Sequence, residues 1–262
     1  MDTEEKNTTK YPVHTLEKSL EIIEAMKEAP AGGIRIVDIS KKLNIGKSTI
    51  HRILSTLAAY GYVEKCSEGR KYRLGWKLFE IGSLIPRQRN LNNIDMIILE
   101  ELSDKCEATV NLGIRINDKV AIIAKVDPQK IPFKAGPYLG EQEPLHATAL
   151  GKILISELDD DKIKSIFKSP ELVKYTNNTI DSLRKLRDVL ARVREQGYAV
   201  DQEELCEGIS CIAMPIRNYE QNIVAALSVS GPSFRFNFNK IAEIKQDQQN
   251  ACVEISRFFG AH

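Results

Sequence analysis

The sequence predicts an α+β protein in two parts, an N-terminal winged helix-turn-helix and a C-terminal α/β domain built on an antiparallel sheet. Three observations lead to this class. Residues 11–60 show helical periodicity, residues 62–74 have the pattern of a basic β-hairpin, and alternating apolar strands with helical segments follow beyond residue 107. A chain of 262 residues is long enough for two domains with separate cores.

Helices begin the first part of the chain. Leu16, Leu20 and Ile23 recur at helical spacing, and Thr15 is placed to cap the start of that helix. A break that contains Pro and Gly then precedes a short second helix, predicted for residues 37–43. Two helices are therefore expected before the segment that carries the most informative pattern.

That segment, residues 47–60, follows a tight turn and is predicted to form an amphipathic third helix that ends at Gly61. Its apolar stripe consists of Ile50, Ile53, Leu54 and Leu57. The opposite side carries short polar and basic side chains, which suit the major groove of DNA when the apolar side docks on its own domain. The predicted DNA-contacting residues of this helix are Lys47, Ser48, Thr49, His51, Arg52 and Ser55.

A basic β-hairpin is predicted next, with strands at residues 62–65 and 70–74. It adds Arg70, Lys71 and Arg73 as candidate contacts to the minor groove or to neighbouring phosphates. Between residues 35 and 75, nine basic residues outnumber three acidic ones, although the whole chain has a net charge of only +1. Such local positive charge favours binding to double-stranded DNA.

Several other classes are disfavoured. The run Gly46-Lys47-Ser48 resembles the end of a nucleotide-binding loop, but that motif needs a glycine where the chain has Lys41. No apolar run reaches the ~18 residues of a membrane span, and residues 1–10 are predicted to be a disordered tail. The five cysteines form no C-x-x-C pair. We therefore expect a cytoplasmic protein with no metal, no cofactor and no membrane partner.

The second part is expected to begin with connecting helices and to continue as a mixture of strands and helices. Connecting helices are predicted at residues 76–84 and 91–106. The predicted strands are residues 110–116, 120–126, 198–203, 209–216 and 223–230, and the predicted helices are residues 146–158, 160–167, 180–196 and 240–259.

A pocket for a carboxylate is suggested by side chains in this second part. The helix that starts at His146 has small residues, which let a ligand approach, and N–H groups and a dipole that favour an anion. Ser228 and Ser230 share one face of a strand, and Cys211 lies on a neighbouring strand. A thiol-dependent enzyme that uses Cys211 with His146 is the weaker alternative, because no catalytic signature surrounds either residue. We expect no catalytic residue.

Three blocks of the chain resemble bacterial transcription regulators of the IclR type. They are NIGKSTIHRIL at residues 44–54, with its continuation to Val63; PLHATALGK at 144–152; and the stretch from REQGY at 194–198 through GISCIAMPI to LSVSGP at 227–232. The resemblance implies a winged helix-turn-helix, a linker helix and a GAF-like effector domain. It also implies a homodimer or homotetramer on operator DNA, acting as repressor or activator, with a small organic or aromatic acid as effector.

The resemblance also carries ligand-contact roles to individual residues. Leu150 stands where a small residue is expected, and Asp201 would repel an acid, so it is expected to bind a hydroxyl or to order the donors. The resulting domains are a tail at 1–10, a DNA-binding domain at 11–75, linker helices at 76–106 and an effector domain at 107–262. A DNA-binding protein that responds to no ligand stays as an alternative. The implied effector contacts are Ala149, Leu150, Asp201, Ile209, Cys211, Ser228 and Ser230.

Overall fold

The computed structural model describes residues 11–27, 29–30, 32–66, 70–82, 84, 96–129, 136–236 and 238–261. The chain divides into two compact units, Met1–Asn92 and Asn93–His262, and the division falls inside the segment predicted to link two domains. The predicted tail, the hairpin turn at 67–69 and the start of the second linker helix at 91–95 lie outside the described residues. The predicted α+β class is confirmed.

The first unit combines short helices with a small antiparallel sheet. Its elements are α1 (His14–Met26), β1 (Ile34–Arg35), α2 (Ile36–Leu43), α3 (Lys47–Ala59), β2 (Val63–Lys65), β3 (Lys71–Leu74) and α4 (Trp76–Gly82). The strand order is β1–β3–β2, so the predicted hairpin pairs β2 with β3 and gains β1 as a third strand. The helix-turn-helix with a wing, predicted from sequence, is present.

Helix α3 docks on the first unit by the side that its sequence predicts. Ile50 and Leu54 are fully buried, Ile53 is nearly so, and Leu57 packs against the same cluster. Asn44 takes the left-handed conformation, with φ of 53°, and ends α2 so that the chain can turn into α3. The orientation of α3 is thus fixed by its own apolar stripe.

The predicted helix α1 is present, but the cap predicted for it is wrong. The helix begins at His14 with Val13 at its N-cap position and no side-chain cap, so Thr15 lies inside the first turn and does not cap it. Leu16 and Leu20 are exposed, and the buried side of α1 is formed by other residues, Ile22, Ala25 and Met26. The helix is apolar on two sides, and periodicity alone does not tell which of them meets the core.

The second unit alternates helices with the strands of an antiparallel sheet. Its elements are α5 (Met96–Cys106), β4 (Thr109–Ile116), β5 (Lys119–Val126), β6 (Gln142–Pro144), α6 (Ala149–Ile155), α7 (Asp160–Ile166), α8 (Leu183–Gln196), β7 (Ala199–Gln202), β8 (Ile209–Arg217), β9 (Ile223–Pro232) and α9 (Phe238–Phe258). The strand order is β6–β5–β4–β9–β8–β7, with adjacent strands antiparallel.

The sheet separates two hydrophobic clusters. Residues of α5 and α9 cover one face and pack on Val110 and Leu112 of β4. Residues of α6, α7 and α8 cover the other face. Gly113 of β4 leaves room for Leu150 of α6, because a Cβ there would come within 3.1 Å of the leucine methyl group. Helix α6 therefore lies close against the centre of the sheet.

Most of the predicted elements are found with shifted ends. The helix predicted from residue 146 begins at Ala149, because Thr148 is its N-cap and accepts a hydrogen bond from the Gly151 N–H. The helix predicted from residue 180 begins at Leu183. Strands β1 and β6 have too few residues to show a period and were not predicted. In the described part of the chain, no helix is long and apolar enough to cross a membrane.

Candidate functional site

The outer side of α3 is polar and exposed over its whole length. The exposed residues are Lys47, Ser48, Thr49, His51, Arg52 and Ser55. Because the apolar stripe of α3 is buried, these six side chains are presented to solvent together. Gly46 at the N-cap position has no side chain to occupy the first N–H groups of the helix. The surface meets the requirements for a helix that enters a major groove.

Two of these six residues also lie beside α1. Thr49 and Arg52 line a cleft between α1 and α3, together with Thr15 and Ser19. The cleft has a volume of about 250 Å³. The Arg52 side chain therefore belongs both to the exposed side of α3 and to this cleft.

The wing carries the three predicted cations, in different environments. Arg70 is exposed, Lys71 is half-buried, and Arg73 is exposed but paired with Glu64 at 2.9 Å across the hairpin. An exposed ion pair of this kind contributes at most about 1 kcal/mol. Arg73 can therefore exchange Glu64 for a phosphate at small cost.

A small cavity lies between α6 and the sheet in the second unit, with a volume of about 50 Å³. All of the residues to which the resemblance assigned effector contacts line it, from four separate elements. These residues are Ala149, Leu150, Asp201, Ile209, Cys211, Ser228 and Ser230. Further lining residues, which sequence reasoning missed, are Asn111, Gly136, Pro137, Glu143, Thr148, Leu205 and Cys206.

Strand pairing places a group of polar residues side by side on the floor of this cavity. Asn111 lies opposite Ser228, Cys211 opposite Ser230, and Asp201 opposite Cys211. The Asn111 Nδ2 donates to both serine hydroxyls at 3.4 Å. Its Oδ1 is buried and has no hydrogen-bond partner among the described residues. One unsatisfied amide oxygen is thus left in the cavity lining.

Two carboxyl groups face this cavity. Burial raises the pKa of the Glu143 carboxyl to about 7, with a smaller contribution from the neighbouring Asp201 charge. Burial likewise raises the pKa of Asp201 to about 7, although its Oδ1 accepts the Glu204 backbone N–H at 2.7 Å. With these pKa values both groups would exchange protons near neutral pH, and the described lining of the cavity includes neither Lys nor Arg.

A buried ion pair lies behind Asp201. The Lys152 Nζ, on the cavity helix α6, donates to Glu204 Oε1 at 2.5 Å and to the Val200 carbonyl at 2.6 Å. Lys152 is only 1% exposed. Since the Glu204 N–H also binds Asp201, one hydrogen-bonded chain runs from the cavity to α6. The pair compensates two charges that would otherwise be strongly unfavourable inside the unit.

The thiol-enzyme alternative gains no support from this geometry. Burial raises the pKa of the Cys211 thiol well above its ordinary value, which keeps the thiol protonated and weakly nucleophilic. His146 is not among the cavity lining, and its Nε2 is hydrogen-bonded to the Val173 carbonyl at 2.8 Å. Its ring packs against Phe167 and Tyr175. His146 therefore has a packing role, as a buried histidine often does.

Signals for the missed lining residues were present in the sequence, but they were weak. Asn111 interrupts the apolar run of β4, where an unpartnered amide is costly to bury. Thr148 lies inside the block that resembles the family, three residues before Gly151. Glu143 stands on a strand of three residues that has no detectable period. Only Asn111 could have been identified by a physical argument.

Comparisons with known proteins agree with both units. The model of the IclR helix-turn-helix domain matches residues 15–66, and the model described as bacterial transcriptional regulator IclR C-terminal matches residues 86–257. HTH-type transcriptional regulator XynR of Escherichia coli K12 is 34% identical over 248 residues, which cover 95% of this chain and 98% of that regulator.

Solved structures have a similar fold. The crystal structure of the Thermotoga maritima IclR has a TM-score of 0.77 at 32% identity and covers 95% of this chain and 100% of its own. An IclR homolog from Microbacterium hydrocarbonoxydans, complexed with 4-hydroxybenzoate, has a TM-score of 0.81 with the same coverage. Its identity is 21%, so this second likeness shows a shared fold.

Proposed function

Since the chain belongs to the IclR family of bacterial transcription regulators, we propose that α3 reads its operator and that the cavity under α6 binds its effector. The protein is a DNA-binding transcription regulator under small-molecule control. The observation that carries our assignment is the pairing of an exposed polar side on α3 with a fully docked apolar side. The relatives are regulators, and we assign no catalytic step to the cavity.

We propose that the operator is contacted by two elements of the first unit. Helix α3 enters the major groove with Ser48, Arg52 and their exposed neighbours, and the wing lays Arg70, Lys71 and Arg73 along the adjacent backbone. The experiment is selection of bound genomic fragments followed by sequencing. An enriched palindromic site supports the assignment, since a symmetric dimer reads two half-sites. Fragments enriched without a common site would contradict sequence-specific reading.

We propose that the effector is a small organic acid that binds the cavity residues named above. The hydroxyl groups of Ser228 and Ser230 supply donors for a carboxylate, and the homolog bound to 4-hydroxybenzoate offers a precedent in a protein of the same fold. Titration calorimetry with a panel of small acids tests this. A bound effector should change operator affinity by about 1–3 kcal/mol of coupling free energy.

The small volume of the cavity favours a second candidate, regulation of transcription without a ligand. A volume of about 50 Å³ is filled by a few water-sized groups, and Leu150 and Leu205 are among the side chains that enclose it. A Leu150→Ala variant separates the two candidates, because it enlarges the cavity. Stronger binding of small acids by this variant supports an effector site, whereas no binding by either protein supports the ligand-independent candidate.

We also propose that the protein works as a cytoplasmic homodimer or homotetramer, with domain limits at 11–75, 76–106 and 107–262. Trp76 and Phe79 of α4 are 74% and 68% exposed, and such large apolar side chains favour burial against a second chain. Light scattering of the purified protein tests the assembly. Replacement of Trp76 and Phe79 by Ser should weaken it.

A further inference from the structure

The charge balance of the effector cavity limits what it can bind. Its described lining includes two carboxyl groups, Glu143 and Asp201, and includes neither Lys nor Arg. The nearest cation behind Asp201 is Lys152, and that ammonium group is already engaged by Glu204 and the Val200 carbonyl. Lys125 acts on Glu143 from outside the described lining, with its Nζ donating to the Pro137 carbonyl at 3.1 Å. Within the described lining itself, a ligand that presents only acceptor oxygens would meet two acidic groups and no basic one.

The lining is instead rich in hydrogen-bond acceptors. Each carboxyl group can accept hydrogen bonds, and the Asn111 Oδ1, in a residue that is only 2% exposed, has no partner in the described part of the chain. A buried acceptor without a partner is unfavourable, and a ligand donor would relieve that cost. The described lining thus presents three acceptor groups, on β4, β6 and β7, of which Asp201 already accepts the backbone N–H of Glu204.

We propose that the effector carries at least two hydroxyl groups, which donate to an acceptor set formed by Asn111, Glu143 and Asp201. This inference rests on the proposed function of the cavity and specifies the ligand further. Glu143 and Asn111 are then specificity-determining residues that the resemblance did not assign. Hydroxyl groups suit the set because each of them donates one hydrogen bond and needs no counter-charge.

The same hydroxyl chemistry can come from a hydroxy acid or from a neutral polyol, and pH distinguishes the two. The groups that act on Glu143 are Asp201, Glu141 and Lys125, and those that act on Asp201 are Lys152 and Glu204. An anion should bind more weakly when both carboxyl groups are ionised, so its affinity should fall as the pH rises through about 7. A neutral polyol requires no proton.

The test uses three-carbon compounds, of which the three acids differ only in their hydroxyl groups. Propionate, lactate and glycerate have none, one and two hydroxyls on the same acid, and glycerol is the neutral arm. Calorimetric affinity should rise about tenfold with each hydroxyl, which corresponds to one hydrogen bond. A falling affinity with pH for glycerate identifies the hydroxy acid as the source, and preferential binding of glycerol identifies the polyol.

Variants at Glu143 show whether the acceptor set determines the preference for ligands with more hydroxyl groups. Glu143 is only half-buried on the short strand β6, so its replacement should leave the unit folded. Glu143→Leu removes the acceptor and should reduce the ratio of glycerate to lactate affinity about tenfold. Glu143→Gln keeps a carbonyl oxygen and should preserve most of that ratio. A merely structural role of Glu143 would change all affinities alike and leave the ratio constant.

Two outcomes overturn the inference. One is binding of propionate as tight as that of glycerate, and the other is no binding of any compound of the series at millimolar concentration. The proposed function is judged separately, by gel shift with operator DNA. If an unhydroxylated acid binds the cavity and changes operator affinity, the regulator assignment stands and the hydroxyl inference fails.

Discussion

The exposed polar side of α3 and the cavity under α6 are built in opposite ways. The polar residues of α3 come from one helix, and all of the predicted contacts are exposed. The cavity takes its lining from α6 and five strands, and many of these residues are also buried members of the unit. A substitution on the exposed side of α3 is therefore expected to change DNA affinity without changing stability. A substitution around the cavity is expected to change both ligand binding and stability. Four predictions test this difference.

The largest expected effect comes from the buried ion pair behind the cavity. Lys152→Met leaves the Glu204 carboxylate buried without its partner and should lower the free energy of unfolding by about 3–5 kcal/mol. Urea unfolding measures it. The double variant Lys152→Met with Glu204→Leu removes both charges and should recover much of the loss. If the Lys152→Met variant is as stable as the parent, the ion pair does not contribute to stability.

A smaller effect is expected at two glycines, one in each unit. A Cβ on Gly151 would overlap the backbone of Leu145, and a Cβ on Gly75 would overlap the backbone of Gly61. Each Gly→Ala variant should destabilise its own unit by about 3 kcal/mol, because backbone cannot move aside as a side chain can. Gly82→Ala is the control, since nothing lies within 4 Å of that Cβ position.

Thermal unfolding of these variants also measures how independent the units are. If the units unfold separately, Gly75→Ala should shift one transition and Gly151→Ala the other. A common shift in both variants would mean that the two units unfold together.

The third prediction concerns α3 and is measured as binding. Arg52→Ala should weaken operator binding by about 1–3 kcal/mol, while the melting temperature stays close to that of the parent because Arg52 is exposed. Arg192→Ala is the matched control, as an exposed arginine on α8 of the second unit. Gel-shift titrations that give equal affinities for both variants would remove Arg52 from the reading side.

The smallest effect is a pH dependence of stability. The pKa of Glu143 in the folded protein is raised to about 7, so the folded state holds more protons than the unfolded chain between about pH 4 and 7. The free energy of unfolding therefore falls as the pH rises through that window and Glu143 ionises. Glu143→Gln should be more stable than the parent by about 1 kcal/mol at pH 8, with no gain near pH 5.

The control for the pH measurement is Glu195→Gln, at an exposed position on α8 of the same unit. That variant should follow the parent at every pH. A gain in the Glu143→Gln variant that is equal at pH 5 and pH 8 would show that the carboxyl is not titrating in this range.

The two regions also differ in how far they could be predicted from the sequence, because the side of α3 is formed by one segment and the cavity by distant strands. The reading side of α3 follows from residues within one helix, so Ile50 and Leu54 were enough to predict which side faces out. The cavity depends on strand register, which pairs Asn111 with Ser228 although they are far apart in the chain. Periodicity contains no such information. Ser228, Ser230 and Cys211 were proposed from their places on neighbouring strands, and the other predicted cavity residues were reached only through resemblance to a family.

The sequence pattern of α1 was compatible with two different buried sides, so it could not predict which side meets the core. On α1, Leu16 and Leu20 form one apolar side, and Ile22 and Met26 form another. Only the packing partners of α1 decide between them, and those partners lie elsewhere in the chain. The unpredicted strand β6 brought Glu143 to the cavity for the same kind of reason, since three residues show no period of their own.

Strand β4 has one further consequence. Its side chains alternate, so Asn111 enters the cavity while Val110 and Leu112 enter the cluster formed with α5 on the reverse face. The backbone of β4 therefore joins a cavity residue to the residues that pack on α5, the described helix of this unit nearest in sequence to the first unit. At this strand, the cavity lining and the packing surface of the reverse face are separated by a single peptide bond.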